Sequence, residues 1–173
     1  MQETIQIINK MQTDGVIGKY AIGGAIGASF YLEATSSLDI DIFISFKGIG
    51  GNPLAPLQPI YDYLLPLGGQ PKGVHILLKG WLIQFLPAEN ALNEEALEAA
   101  VETDLGGVKT WVMTAEHLIA IALKLGRKKD EARVERFVEI GKFDQNTLDD
   151  ILRRYALVDN WKAISDKYMG GRK

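Results

Sequence analysis

The amino-acid sequence predicts an α+β fold, with a strand-bearing part over residues 1–113 and an all-helical part over 114–173. Three observations carry this. Tyr20-Ala21-Ile22-Gly23-Gly24 reads as a strand ending in a glycine turn, and after a short helical stretch residues 38–46 read as a second strand. Residues 74–78 and 81–86 read as two further strands joined at Lys79-Gly80, a two-residue hairpin connection. From Thr114 onward the apolar spacing becomes helical, segment after segment.

Taken in order, residues 3–13 place Ile5 and Ile8 at helical spacing, with Ile7 and Met11 widening the apolar side. An opening amphipathic helix follows, punctuated by Gly15 and Gly18. Residues 19–22 predict a short strand, and Gly23-Gly24 lets the chain turn and bring backbone amides close to a ligand. Residues 25–33, with Ile26, Phe30 and Leu32, suit a helix pressed against a sheet. Along 38–46, Ile40, Ile42 and Ile44 line one face, while Asp39, Asp41 and Phe43 line the other. Residues 48–56 form a loop rich in glycine and proline, and 57–65 a helix burying Ile60, Tyr61 and Leu64. Asn93 is placed as an N-cap with Glu94 and Glu95 in the first turn of a helix to about Glu102. The last strand is 107–113. Thr114 then caps a helix through Leu125, residues 126–130 interrupt it, and a second helix runs to about Ile140. A third opens at Asp144, and a fourth lies around Trp161, Ile164 and Tyr168.

A chain of 173 residues can bury a real core, and its formal net charge of -3 argues against a protein-wide electrostatic grip on nucleic acid. The absence of cysteine excludes disulfides, thiolate zinc sites and cysteine nucleophiles. His75 and His117 alone make a histidine metal centre a poor expectation, and both read as structural. Trp81, Trp111 and Trp161 read as packing residues. The start of the chain has no basic segment before an apolar run, and no run reaches membrane-spanning length, so a cytoplasmic location and no membrane partner are expected.

The chemistry concentrates in the second strand. Asp39 and Asp41 alternate onto one face with α-carbons roughly 6.5–7 Å apart. Carboxylates that close repel unless a cation or proton lies between them. Magnesium, a hard cation, often binds through one or two carboxylates plus substrate phosphates. The competing reading is the solvent side of an edge strand, which the apolar Phe43 on the same face opposes. A P-loop is excluded, because no lysine follows the glycines. A dinucleotide fingerprint is only approximated by Gly23-Gly24-Ala25-Ile26-Gly27, with Asp39 at the wrong end of its strand.

Ile22-Gly23-Gly24, a helix, then Ser37-Leu38-Asp39-Ile40-Asp41-Ile42 resembles the signature of the nucleotidyltransferase superfamily related to DNA polymerase β. Downstream, the run from Leu118 to Asp130, with Lys124, Arg127, Lys129 and Asp130, resembles the K…RxKD segment of AbiEii-type nucleotidyltransferase toxins. Residues 147–155 resemble the helix that follows it there. The resemblance implies a nucleotidyltransferase-like mixed β-sheet with flanking helices, followed by a helical C-terminal part closing over the site. It implies Mg2+-dependent transfer of a nucleoside monophosphate from an NTP to a hydroxyl of RNA, a protein or a small molecule, with two metal ions clamping an in-line displacement. Asp39 and Asp41 would hold the magnesium, Gly23 and Gly24 would give amides to phosphate, and Ser37 a hydroxyl. Lys124, Arg127 and Lys129 would neutralise the triphosphate; alternatively they are a solvated basic helix end, and Asp130 an N-cap. An antitoxin-like partner is implied by the same resemblance. One position departs from the family. Gln84 stands where a third carboxylate is usual, and an amide can ligate a metal but does not accept a proton at neutral pH. Glu89, just beyond that strand, would substitute if the chain folded back. Otherwise the protein is a catalytically degenerate module that binds nucleotide or a partner.

Overall fold

Alternation along one strand decides how this molecule is layered. The computed structural model describes residues 1–33, 37, 39–47, 49 and 56–169. Among these residues, seven strands form one mixed sheet: β1 (Tyr20–Ile22), β2 (Asp39–Ile44), β3 (Gln70–Lys72), β4 (His75–Leu78), β5 (Trp81–Pro87), β6 (Val101–Asp104) and β7 (Lys109–Val112). Their order is β3-β4-β5-β2-β1-β7-β6, so β2 lies at the centre, antiparallel to β1 and parallel to β5. The edge-strand reading of Asp39 and Asp41 therefore fails. The antiparallel β1–β2 pair also departs from the parallel βαβ unit that a dinucleotide fingerprint requires.

On one side of the sheet, Ile40, Ile42 and Ile44 are fully buried against α1 (Gln2–Thr13) and α3 (Gln58–Leu64), through Ile5, Ile8, Ile60 and Leu64. Each such side chain contributes about 1.5–3 kcal/mol when taken out of water. Between β1 and β2 runs the short α2 (Gly24–Ala28). Opposite, Ala21 and Phe43 pack with α4 (Ala91–Glu98), α5 (Ala115–Leu125), α6 (Lys128–Ile140), α7 (Gln145–Arg154) and α8 (Val158–Met169). That second core joins residues on both sides of position 113.

Local chemistry explains most boundaries. Lys79 (φ 52°) and Gly80 (φ 83°) both take left-handed backbone, the requirement of a type I′ hairpin, and β4 and β5 pair across them. The Thr114 and Asp144 side chains accept the N–H groups of His117 and Thr147, capping α5 and α7 as expected, and Gly126 ends α5 in the left-handed region. Trp161 is buried with Phe143 set edge-on to it, and Trp111 is edge-on to Tyr20, as packing residues should be.

Four expectations change. The cap of α4 is Asn90, whose side chain accepts from the Asn93 N–H at 3.0 Å; Asn93 itself lies inside the helix. That helix stops at Glu98 rather than near Glu102, because Val101–Asp104 pairs with β7 across a turn holding Gly106 and Gly107 at positive φ. The stretch expected to be helical over 25–33 is one short helix, α2, followed by turns. The exposed edge strand β3, carrying Pro71, was not expected from the sequence. Most of the expected loop at 48–56, and Leu38, lie outside the described residues.

A polar knot ties the helices together. Glu95 of α4 accepts from both terminal nitrogens of Arg154, from the Tyr155 hydroxyl at 2.6 Å, and lies 3.1 Å from His117 Nε2. His117 is 4 % exposed, with Nδ1 2.8 Å from the Thr114 hydroxyl. Both of its ring nitrogens are thus occupied, which bears out a structural role. The Arg154 guanidinium above all, with Tyr155 and His117, pulls the Glu95 carboxyl down to about 2 against the cost of its burial.

Candidate active site

The site-bearing face of β2 carries Asp39, exposed, and Asp41, half-buried, one pleat apart. The glycine turn is pressed directly against the second of these. The Gly23 N–H donates to the Asp41 main-chain carbonyl at 2.9 Å. Gly24 takes φ +57°, and a Cβ there would sit 2.0 Å from Asp41 Oδ2. Only glycine fits both constraints. Ser37 turns its hydroxyl back onto the main chain of Asp39, 3.3 Å from its N–H.

Facing the carboxylates is the corner between α5 and α6. Gly126 reverses the chain, Arg127 is the N-cap residue of α6, and Lys129 and Arg133 follow on its first turns. Asp130, for which an N-cap was the alternative to a place in the basic segment, is no cap: it is a wholly buried residue inside the first turn. Its two oxygens hold Arg127 (2.5 and 3.2 Å) and Arg133 (3.2 Å). A carboxylate that far from water is tolerable only when its lone pairs are filled in this way. Asp130 therefore orients two guanidinium groups and raises the pKa of Arg127.

Asp41 is under opposite pressures. Burial pushes its carboxyl above the usual range, Arg133, Lys129 and Arg127 pull it back, and Asp39 adds to the rise. Among the described residues, neither Asp39 nor Asp41 has an ion-pair partner within 4.0 Å, although Asp130 next door has two. Anionic and cationic walls face each other across a gap.

That gap is a two-lobed cleft. One lobe, of about 590 Å3, is lined by Ser37, Asp39, His75 and Arg136; the other, of about 400 Å3, by Gly24, Phe43, Met113 and Lys124. Asp41, Gln84, Arg127, Lys129 and Arg133 line both. Of the residues expected to bind metal or nucleotide, all but Gly23 thus reach one cleft, as does Gln84; Asp130 lies buried behind its cationic wall, and Glu89 stands outside it. Gly23 stands behind it, pressed on Phe43. Arg133, Arg136 and His75 had been missed or read as structural. The arginines were legible in principle, since Lys129, Arg133 and Arg136 follow an i, i+4, i+7 spacing and share one helix side.

The parallel register sets Gln84 of β5 directly beside Asp41. Glu89 lies past Pro87, which is level with Ile44, roughly 10 Å or more farther along the strands at about 3.3 Å per residue. It is exposed and lines neither lobe, so it does not stand in for the missing carboxylate. Among the described residues no group of three or more histidine, cysteine, aspartate or glutamate side chains converges. The donor set is two carboxylates and one amide oxygen, all hard. It fits a magnesium ion that keeps water or phosphate oxygens in its remaining positions.

No family model matches the chain, and no curated protein matches it in sequence. Solved structures do match. The solution structure of the antibiotic-resistance factor ANT(2'')-Ia superposes with a TM-score of 0.53 over 98% of this chain and 100% of that one, at 15% identity. The fold is nucleotidyltransferase-like. A crystal structure of an antigenic nucleotidyltransferase-like protein from Paracoccidioides brasiliensis aligns at a TM-score of 0.51 and 14% identity, covering 94% and 92% of the two chains. At this identity the likeness establishes architecture, and the chemistry has to be argued from the cleft itself. Among the described residues no helix is long and apolar enough to cross a membrane.

Proposed function

We propose that this protein binds a magnesium-nucleoside triphosphate in the cleft and transfers the nucleoside monophosphate to a hydroxyl acceptor on RNA, a protein or a small molecule. One observation carries the reading. Two carboxylates on β2 and the cations of α6 face each other without pairing, a spacing that suits a polyphosphate with its divalent cation between them. Asp39 and Asp41, with the Gln84 amide oxygen, would hold one magnesium ion; a second would have to share the same two carboxylates. When bound, magnesium supplies Lewis-acid stabilisation of charge on the phosphate oxygens. Arg127, Lys129 and Arg133 orient the triphosphate and neutralise the departing pyrophosphate, with Lys124 at the rim. The Gly23 N–H is engaged by Asp41, so Gly24, first residue of α2, is the one whose amide remains for a phosphate. Ser37 offers its hydroxyl beside Asp39. A bond forms from the acceptor oxygen to the α-phosphorus as the bond to the bridging oxygen breaks. The acceptor's proton passes to a cleft carboxylate or to water, since the Gln84 amide does not take it.

Gln84 beside Asp41 supports a second reading, a module of the same fold that binds nucleotide and turns it over slowly or not at all. One experiment separates the two. The protein is incubated with α-labelled NTPs, magnesium and, in turn, total RNA, total protein and a small-molecule extract, alongside calorimetry with and without chelator. Metal-dependent binding with label transfer supports the first reading, and metal-dependent binding without transfer supports the second. Binding indifferent to chelator and to Asp39→Ala/Asp41→Ala refutes both.

A further inference from the structure

The two lobes of the cleft differ in chemistry. Around the larger stand the polar and charged side chains of Ser37, Asp39, Glu33, His75 and Arg136, with only small apolar residues and Leu32 between them. The smaller is walled by Phe43, Leu86, Met113, Leu118, Ile121 and Leu125. Phe43, Met113 and Leu118 are core residues at 6 % exposure or less, whereas Leu125, at its mouth, is 51 % exposed with no apolar cover. Into this apolar lobe two carboxamides project from the start of α4. Asn90 Oδ1 is occupied by the Asn93 N–H at 3.0 Å and by Lys124 Nζ at 3.5 Å, which leaves its amide nitrogen to donate. Asn93 takes part in the cap through its backbone, so its carboxamide is not needed there.

Resting on the nucleotide reading of the cleft, we infer that the apolar lobe between β5, α4 and α5 is the nucleobase subsite, read by Asn93 with Asn90. A slot with apolar walls and a few placed polar groups is what a planar heteroaromatic ring requires. A carboxamide presents a donor and an acceptor side by side and pairs bidentately with a base edge. The shared residues Asp41, Arg127, Lys129 and Arg133 then fall at the phosphates, between the two lobes. The polar lobe, beside Asp39, is left for the acceptor hydroxyl. Leu125 becomes the outer wall of the base slot, which accounts for a large apolar side chain at the surface.

The test compares calorimetric affinities of ATP, GTP, CTP and UTP with that of inorganic tripolyphosphate, all with magnesium. The wild-type protein should bind its best NTP at least about tenfold more tightly than tripolyphosphate. Ile121→Trp, which fills the slot, should bring that NTP down to the tripolyphosphate level while tripolyphosphate affinity stays within about twofold. Asn93→Leu should weaken the best NTP about tenfold and leave tripolyphosphate unchanged. Retained tripolyphosphate binding reports that each variant is folded; should Ile121→Trp lose it, Asn93→Leu decides. Equal affinity of the wild type for NTP and tripolyphosphate overturns the inference. So does undiminished NTP affinity in a folded variant, the result expected if the slot holds the acceptor. Nucleotide binding without label transfer sinks the transferase reading and spares this one, while transfer undiminished in Ile121→Trp does the reverse.

Discussion

Glu95 and Asp41 are both carboxylates on the helical side of the sheet, and the molecule treats them in opposite ways. Glu95 is saturated: Arg154, Tyr155 and His117 all converge on it, and its pKa falls to about 2. Asp41 is half-buried without an ion pair, and its pKa rises. Partners were at hand for Asp41 as well. Arg127 and Arg133 lie across the cleft, but the buried Asp130 holds both back. An acid that serves structure is given its partners in full. An acid kept for a ligand is left short of them, and a second acid reserves the cations it would otherwise take.

The largest expected effect comes from removing that second acid. Asp130→Ala removes the buried acceptor that holds Arg127 and the half-buried Arg133, and should lower stability by about 1–3 kcal/mol in denaturant unfolding. Because the guanidinium groups are then free to swing onto Asp41, it should also raise the apparent Kd for the magnesium nucleotide. Unchanged nucleotide affinity in a folded Asp130→Ala protein would break the comparison. Asp41→Asn comes next: transfer should fall by about 100- to 1,000-fold, the range seen when one charge-stabilising group is lost. Its stability should be equal to or above that of wild type, since a half-buried unpaired carboxylate is gone.

Glu95→Gln should do the converse, lowering stability by about 1–3 kcal/mol through weakened hydrogen bonds to its three partners while per-molecule transfer is retained. The two acids should also separate with pH. Glu95 has a folded pKa below its unfolded value, so its contribution is complete above about 4.5 and is lost as pH falls toward about 2. Asp41 has a folded pKa above its unfolded value, so its charged form costs stability at higher pH, and that cost fades as pH falls toward 3.8. Unfolding curves from pH 7 to pH 3 should therefore lie closer to wild type for Glu95→Gln at low pH, and for Asp41→Asn likewise but from the stable side. The smallest effect belongs to Lys124→Ala. An exposed rim lysine should change nucleotide affinity by about threefold or less, and 0.5 M salt should erase the difference.

Much of this was legible in advance where local rules govern. The isoleucine and aspartate alternation of β2, the Lys79-Gly80 hairpin and the Thr114 and Asp144 caps follow from backbone sterics and short-range hydrogen bonds, and each stands in the structure. Failures came where partners distant in sequence decide. Residues near Val101 follow Ala-Leu-Glu-Ala-Ala and read as helix; pairing with β7 makes them a strand. Asp130 looked like a cap because nothing nearby in sequence reveals complete burial. Arg133 and Arg136 were passed over because a charged helix side usually faces water, and only the packing of α6 against α5 and α8, across the cleft from β2, turns it toward the carboxylates. Gln84 was identified correctly as the position beside the aspartates, and the parallel register of β5 makes that adjacency literal.

The two walls of the cleft come from distant stretches of the chain, and this has a consequence during synthesis. A ribosome delivers Asp39 and Asp41 well before Arg127 to Arg136, and the core that seats α6 needs both parts of the chain. Until α6 has emerged and docked, the nascent chain carries the carboxylates of β2 with no counter-wall. If the cleft holds the proposed nucleotide, its capture waits until translation has passed the cationic helix, and a chain that stops ahead of it lacks both that wall and part of the shared core.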